Sequence, residues 1–157
     1  MKELFVNFDK CLGCLSCEIA CRVEHSLTKN IFTSIFESKP PRKRVFVQFY
    51  QNKNIPLQCR NCDDSPCIKV CPTGAMHKDE RNVTICDEEK CIGCFMCVLA
   101  CPFGVISADR KKVIKCDRCP DRETPACVEA CPTKALTFEE VKEFSAEKRE
   151  LAASKVI

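Results

Sequence analysis

The most chemically informative stretch of the chain is CIGCFMCVLACP, residues 91–102, in which four cysteines lie at offsets of three, three and four residues. Cysteine thiolates are the ligands that zinc and iron–sulfur clusters use in proteins. The tight turns between the first three cysteines direct their sulfur atoms to one point. The fourth, Cys101, follows on a short helical turn that Pro102 ends, because proline has no backbone N–H to continue the helix. We therefore expect these four thiols to be divided, three and one, between two metal clusters.

Cysteine blocks of this kind occur four times along the chain. The last three end in CIKVCPTGAM, CVLACPFGVI and CVEACPTKAL, which begin at positions 67, 97 and 127 and therefore repeat at a constant interval. Cys86 is the only cysteine outside the blocks. The blocks are block one (Cys11, Cys14, Cys17, Cys21), block two (Cys59, Cys62, Cys67, Cys71), block three (Cys91, Cys94, Cys97, Cys101) and block four (Cys116, Cys119, Cys127, Cys131).

Cysteine accounts for 17 of the 157 residues, far above its ordinary usage. A secreted disulfide scaffold would need an export signal and usually an even number of cysteines. The first residues, MKELFVNFDKCLGC, lack the basic and long apolar regions of such a signal. No apolar run reaches the length of about 18 residues that a membrane span needs. The sequence therefore predicts a cytoplasmic chain, without a membrane span, whose cysteines bind metal.

Zinc is the alternative metal, since two C-x2-C pairs form a typical zinc site. Zinc sites, however, seldom need a third cysteine three residues on, or a four-residue step that ends in Cys-Pro. That run is typical of two-cluster bacterial ferredoxins, in which the fourth cysteine ligates the other cluster of the pair. The pattern therefore favours four 4Fe-4S clusters. Because every iron would have a cysteine ligand, we expect no catalytic residue and no substrate site at any cluster.

The distances between blocks along the chain predict which blocks exchange their fourth cysteine. The segment from Pro72 to Lys90 separates blocks two and three and is long enough for one hairpin, so these blocks should form an inner pair. Blocks one and four then pair around the outside. The predicted ligand sets are set A (Cys11, Cys14, Cys17, Cys131), set B (Cys116, Cys119, Cys127, Cys21), set C (Cys59, Cys62, Cys67, Cys101) and set D (Cys91, Cys94, Cys97, Cys71).

The elements that must position these thiols are short. LFVNF, AMHKDERNVTI, VISADRKKVI and VFVQFY favour strands or small hairpins, KPPRKR a loop and NIFTSIF a helix. The steps CEIAC, CIKVC, CVLAC and CVEAC predict one or two helical turns at the end of each block. From Phe138 to Ile157 the pattern predicts a charged helix with a sparse apolar stripe at Val141, Phe144 and Leu151.

Together these elements predict an α+β protein made of tandem bacterial-ferredoxin-like modules, with two pseudo-twofold cluster pairs, short hairpins and a C-terminal helix. The clusters organise the chain into a single unit. Its predicted parts are an inner module (56–108), an outer module (1–25 plus 109–138), an insertion (22–58) and a helical tail (139–157).

The charge balance argues against a nucleic-acid partner. Lys and Arg number 25 and Asp and Glu 22, which gives +3. Four oxidised clusters with their thiolates would each add about −2, so the assembled protein would carry about −5. Most of the cations are therefore expected to compensate cluster charge. The one cationic run, PRKR at 41–44, is interpreted first as a solvated loop and second as a docking site for a protein partner.

Five other residues invite a functional interpretation but belong to no ligand set. Cys86 lies on a strand pattern and is expected to act as a small buried hydrophobic residue. His25 and His77 follow blocks closely, but no block lacks a cysteine that a histidine would replace, so we expect them at the surface or beside a ligand. Lys115 and Arg118 flank Cys116, where they would raise a cluster potential, contact a partner or simply balance charge.

The four blocks, their order and their Cys-Pro endings resemble the four-cluster electron-transfer subunits of dimethyl sulfoxide reductase, formate dehydrogenase and formate hydrogenlyase. CLGCLSCEIACRVEHS, PLQCRNCDDSPC and KCDRCPDRETPACVEACPTKAL are most similar to iron–sulfur proteins associated with carbon monoxide dehydrogenase, followed by small subunits of tungsten aldehyde oxidoreductases. The resemblance covers residues 3–138 and implies the same pairing of blocks. One departure is that block one ends in Cys21-Arg22 rather than Cys-Pro.

The resemblance implies a protein that relays single electrons through four 4Fe-4S clusters and has no substrate site of its own. Its expected partners are a catalytic oxidoreductase subunit and a second redox protein. Carbon monoxide dehydrogenase is favoured for the first, with an aldehyde oxidoreductase, formate dehydrogenase or hydrogenase as alternatives. A redox sensor and a cluster-delivery scaffold are the alternatives from other functional classes, although no DNA-binding helical module is evident.

Overall fold

The computed structural model describes residues 2–156. Within this part of the chain, four pairs of antiparallel strands alternate with short helices, which confirms the α+β prediction. The strands are β1 Lys2–Val6, β2 Val45–Tyr50, β3 Lys53–Gln58, β4 Met76–Lys78, β5 Thr84–Cys86, β6 Ser107–Asp109, β7 Lys112–Ile114 and β8 Leu136–Glu140. The helices are α1 Ser16–Glu24, α2 Pro66–Lys69, α3 Met96–Ala100, α4 Ala126–Glu129 and α5 Val141–Ala153, with 3-10 turns at Phe8–Lys10 and Ser34–Phe36.

Three strand pairs are local hairpins, and one joins the two ends of the chain. β2 pairs with β3, β4 with β5 and β6 with β7. β1 instead pairs with β8, with Leu4 opposite Phe138 and Val6 opposite Leu136. This long-range pairing brings block one next to block four, as the predicted outer pair requires. No helix within residues 2–156 has the length and apolar character that a membrane span needs.

Each cysteine block ends in a helix, and proline limits the length of three of them. α2, α3 and α4 have four or five residues and end before Cys71-Pro72, Cys101-Pro102 and Cys131-Pro132. α1 has nine residues and continues to Glu24, because Arg22 follows Cys21 and can donate a backbone hydrogen bond. The Cys21-Arg22 departure therefore lengthens the helix and carries the chain into the insertion.

Two separate hydrophobic clusters hold the blocks, and cysteines are part of both. In the first, Cys17, Cys21 and Cys127 pack with residues of β1, β2 and β8. In the second, Cys67 and Cys97 pack with residues of β4, β7 and the segment before β6. The first cluster draws on blocks one and four, and the second on blocks two and three.

Three elements differ from the sequence-based predictions. β3 has no counterpart among the predicted strands, because Pro56 and two asparagines lie in or near it, yet it pairs with β2 along its whole length. NIFTSIF forms only the single 3-10 turn Ser34–Phe36 rather than a helix. The tail helix begins at Val141, since Phe138 belongs to β8, and Ile157 lies outside the described residues. The helix contacts its own core, because Phe144 stacks on Phe5 with ring centroids 3.8 Å apart.

Gly93, between the first two cysteines of block three, is required both by its conformation and by its surroundings. Its φ is +71°, and a Cβ there would lie 2.1 Å from the carbonyl oxygen of Lys111, in the turn between β6 and β7. Gly74 has a similar φ of +67° but nothing within 4 Å of the Cβ position. The two glycines therefore separate the effect of backbone conformation from the effect of steric overlap.

We expect Gly93→Ala to lower the thermal unfolding midpoint of the cluster-loaded protein much more than Gly74→Ala does. The left-handed backbone alone destabilises an alanine by about 1–2 kcal/mol, and about 2–4 °C is lost per kcal/mol in a domain of this size. Gly93→Ala must in addition displace backbone. Anaerobic calorimetry or circular dichroism on both variants measures the difference. Equal midpoints would show that the backbone at Lys111 shifts to accommodate the added methyl group without loss of stability.

Candidate metal centres

The four thiols of set A line one pocket at the surface. Its lining includes Cys11, Cys14, Cys17 and Cys131, and it holds about 310 Å³ of free space, counting space open to solvent. Cys14 is exposed and Cys17 is buried. Burial raises the pKa of Cys17 to about 11. The backbone N–H of Ala135 donates a hydrogen bond to Cys131 Sγ at 3.2 Å, an arrangement that stabilises a thiolate.

The four thiols of set D line a similar pocket of about 300 Å³. Cys94, like Cys14, is exposed, and Cys97 is buried. Thr73 and Cys71 lie side by side, with Oγ1 and Sγ 3.7 Å apart. Although burial opposes them, hydrogen bonds from the backbone of Met76 and from Thr73 prevail and lower the pKa of Cys71. A pocket lined by one complete predicted ligand set is thus present at two places in the chain.

Cys86 also lines the set D pocket. It lies in β5 opposite Met76 and is half-buried. Burial, together with the charge of the neighbouring Cys91, raises its pKa to about 12. This agrees with the expectation of an apolar role, since the thiol is strongly biased towards its neutral form. Its position beside the ligands was not foreseen, because the strand pattern alone does not show which pocket the strand faces.

Set B is the most deeply buried of the four. Cys21, Cys119 and Cys127 are 5%, 6% and 7% exposed. Burial raises the pKa of Cys127, and the charges of Cys116, Cys21 and Cys119 raise it further, which places all four thiols within electrostatic range of one another. A site this enclosed needs bound metal to keep four sulfur atoms anionic, and metal binding would release their protons.

In set C, Cys67 lies within electrostatic range of both Cys59 and Cys101. Burial raises the pKa of Cys67; the charge of Lys115 opposes this, and those of Cys59 and Cys101 add to it. Cys62 is half-buried in the same loop, where its carbonyl oxygen accepts a hydrogen bond from Ser65 Oγ at 2.5 Å. The backbone N–H of Asn61 donates to Cys59 Sγ at 3.4 Å. Cys101 of block three thus lies within electrostatic range of Cys67 of block two.

Electrostatic interactions between thiols of different sets indicate the order A, B, C, D. Each pair of neighbouring sets is joined by two thiols close enough to interact electrostatically. The joining pairs are Cys17 with Cys127, Cys116 with Cys59, and Cys97 with Cys67. Sets A and D, which contain the exposed Cys14 and Cys94, therefore lie at the two ends, and sets B and C lie between them.

A hydrogen-bonded group beside set B was only partly foreseen. His25 Nδ1 lies 2.7 Å from the carbonyl oxygen of Cys21, and Nε2 lies 3.1 Å from Asp117 Oδ1, both within hydrogen-bond distance. Arg44 forms an ion pair with Asp117, and its backbone N–H donates to Cys21 Sγ at 3.2 Å. Although burial raises the pKa of Asp117, the hydrogen bond from His25 and the charge of Arg44 outweigh it and hold the pKa far below its ordinary value.

This group brings three potential metal ligands, His25, Asp117 and Cys119, within range of one another. Cys119 already belongs to set B, and both nitrogens of His25 are occupied by acceptors. The histidine is therefore placed to orient the end of α1 rather than to bind a separate ion. The contact between His25 and Cys21 could be expected because the two residues are close in sequence. The contact with Asp117 could not, because Asp117 lies 92 residues further along the chain.

A buried side chain next in sequence to set C tests the fit of a cluster. The side chain of Gln58, immediately before Cys59, is 3% exposed, and neither its amide nitrogen nor its oxygen has a hydrogen-bond partner among the described residues. An unpaired buried amide is unfavourable by about 1–3 kcal/mol. Cluster and ligand sulfur atoms accept hydrogen bonds. The donor set and this unpaired amide both fit a 4Fe-4S group in set C.

Comparison with known protein families supports iron–sulfur binding by this chain. The model of the 4Fe-4S dicluster domain matches residues 50–141, more than half of the chain. This chain belongs to the 4Fe-4S dicluster domain family. A second model, of a 4Fe-4S binding domain, matches residues 8–24, which contain block one. Family members bind 4Fe-4S clusters, and the matched residues include every cysteine block.

Curated relatives of this chain include named subunits of oxidoreductases. The arsenate respiratory reductase iron–sulfur subunit of Shewanella sp. (strain ANA-3) is 42% identical over 91 residues, which are 58% of this chain and 38% of that protein. The B subunit of the anaerobic dimethyl sulfoxide reductase of Escherichia coli (strain K12) is 36% identical over 100 residues, which cover 57% of this chain and 46% of that subunit.

A third relative is the polyferredoxin-like subunit of the aliphatic sulfonate oxidoreductase of Pyrococcus furiosus, 40% identical over 92 residues, with 58% of this chain and 49% of that protein covered. This chain thus matches less than half the length of each of these three relatives. Among solved structures, a chain of the active site complex of benzoyl coenzyme A reductase, as isolated, matches with a TM-score of 0.50 at 22% identity, covering 99% and 96% of the two chains. At that identity the likeness shows the fold alone.

Proposed function

We propose that this chain is an electron-transfer subunit that carries single electrons through four 4Fe-4S clusters between a catalytic oxidoreductase subunit and a second redox protein. The observation that carries the proposal is the linear order of the four cysteine sets, with an exposed cysteine in each end set and none in the two middle sets. When bound, the clusters supply one-electron oxidation and reduction without bond making or proton transfer. The chain itself would hold the sulfur ligands, enclose most of set B and leave Cys14 of set A and Cys94 of set D exposed.

The surfaces around the two end sets support docking of redox partners there. Beside set A, Leu12, Leu15 and Ile19 are 71%, 43% and 48% exposed. Beside set D, the residues at the corresponding block positions, Ile92 and Leu99, are 65% and 80% exposed. Exposed apolar side chains around a redox centre favour close approach of another protein, because their burial excludes water from the contact. The repeated arrangement gives the chain one docking surface for each of two partners.

For the catalytic partner we propose carbon monoxide dehydrogenase, on the resemblance of blocks one, two and four. An aldehyde oxidoreductase, formate dehydrogenase or hydrogenase complex is the second candidate, because the relatives are named as subunits of several oxidoreductases. We also propose that the sixteen cysteines of sets A to D are the cluster ligands. In the same proposal the chain consists of an inner and an outer two-cluster module and is located in the cytoplasm.

Anaerobic purification from the native host tests the proposal. We expect about sixteen iron and sixteen sulfide per chain, as four 4Fe-4S clusters require, together with a co-purifying oxidoreductase that mass spectrometry identifies and that reduces the clusters when given its substrate. Zinc in place of iron would overturn the metal assignment. Rapid loss of iron to apo-proteins, without reduction by any co-purified enzyme, would favour a cluster-delivery scaffold instead.

A further inference from the structure

The residue immediately before the first cysteine differs in burial from block to block. Lys10, Gln58, Lys90 and Lys115 occupy this position in blocks one to four. Lys10 and Lys90, which precede the end sets A and D, are exposed. Gln58 and Lys115, which precede the middle sets C and B, are 3% and 5% exposed. The polar residue at this position is thus buried only at the two middle sets.

Lys115 is held at the boundary between sets B and C by two carbonyl groups. Its Nζ donates a hydrogen bond to the carbonyl oxygen of Thr84 in β5, and another to that of Cys116 at 3.0 Å. Thr84 is 1% exposed, so the amino group lies away from solvent. No carboxylate within the described residues forms an ion pair with Lys115. Its charge acts on sulfur atoms of both neighbouring sets, at Cys67 and at Cys116.

A buried, unneutralised ammonium group is unfavourable unless negative charge lies close to it. The thiolates and clusters of sets B and C would supply that charge from both sides. Reducing a cluster adds one further negative charge, which an adjacent cation stabilises more strongly in a buried site than at the surface. Gln58 adds an unpaired amide N–H donor immediately before the first ligand of set C, and hydrogen bonds to cluster sulfur are among the factors that set reduction potentials.

We propose that Lys115, assisted by the Gln58 amide, raises the reduction potentials of the clusters held by the two middle sets, so that the middle of the chain holds an electron while either end exchanges one with a partner. The inference rests on the proposed function, since it requires four clusters. Each transfer moves one electron, with no bond formed or broken and no proton taken up. The reductant and oxidant are the two redox partners.

Lys90 provides a matched control, because it has the same position relative to its block. Its side chain is 63% exposed, and it pairs with Asp87 at 3.3 Å. Solvent and salt screen a charge in that position. A potential that depends on the mere presence of a lysine before the block would respond equally to changes at Lys90 and Lys115. A potential that depends on burial would respond only at Lys115.

The test is a potentiometric titration of the anaerobic, cluster-loaded protein, followed by electron paramagnetic resonance. Lys115→Gln keeps N–H donors but removes the charge, and should disfavour reduction of two of the four clusters at least tenfold, a shift of about 59 mV for one electron. Lys115→Arg should retain the wild-type potentials. Lys90→Gln should leave all four potentials in place, and Gln58→Leu should lower one.

Iron content is measured on every sample, so that the two proposals fail separately. A wild-type chain without about sixteen iron would overturn the proposed function. Four intact clusters whose potentials are the same in wild type and Lys115→Gln would overturn only the present inference, as would an equal shift in Lys90→Gln. If Lys115→Gln does not fold, Gln58→Leu decides, and unchanged potentials in that variant overturn the inference.

Discussion

Removing the iron from the anaerobically purified protein will unfold most of the chain. Of the 17 buried hydrophobic residues in the described part of the chain, six are cysteines of the predicted ligand sets. The large side chains that remain, such as Met76, Leu136 and Val45, are few and belong to two separate cores. Single domains are stable by only about 5–15 kcal/mol. Without metal, the space between the thiols of each core would stay unfilled, and the Gln58 amide would stay unpaired.

The effect of iron removal is measured by circular dichroism before and after treatment with a chelator and an oxidant, which are removed before a thiol reductant is added to reverse any disulfides. The far-ultraviolet signal should fall and the cooperative thermal transition should disappear, because binding and folding share the same free energy. Reconstitution with iron and sulfide should restore both. An iron-free chain that still unfolds cooperatively would show that the protein packing alone maintains the fold.

Substitution of cysteines in pairs will show that each block supplies its fourth thiol to another block's cluster. Cys67→Ala and Cys101→Ala are predicted to affect the same cluster, because both thiols belong to set C. Each single variant should lose about four iron atoms, and the double variant should lose no more than that. Cys97→Ala with Cys101→Ala should instead lose about eight, because these neighbours in sequence belong to sets D and C. Iron analysis of anaerobic samples measures all of these losses.

Cys86→Ala is the control for the loss of a thiol beside a cluster. Cys86 lines the set D pocket but belongs to no block, so this variant should keep all of its iron. If Cys97→Ala and Cys101→Ala together lost only as much iron as either alone, block three would hold one cluster by itself, and the exchange between blocks would be wrong. Iron loss in Cys86→Ala would make that thiol a ligand.

Much of the fold and of the candidate centres could be predicted from the sequence, for reasons that lie in local geometry. Cysteine spacing limits which sulfur atoms can reach a common point, and the proline after Cys71, Cys101 and Cys131 ends each short helix at the same place. Strands β1, β2 and the two hairpins after blocks two and three follow from alternation and turn residues. β3 could not be predicted in this way, because Pro56 is tolerated only through its pairing with β2.

The choice of iron–sulfur clusters, the grouping of the cysteines and the α+β class were predictable because they depend on residue type and on contacts between near neighbours in the chain. The order of the four sets, their exposure and the fate of chemically equivalent residues emerged only from the packing of distant segments. Lys90 and Lys115 have the same place before a block, yet one is solvated and the other is enclosed beside Thr84. Long-range packing sets the burial of each residue, and burial in turn determines how strongly a charge acts on its neighbours.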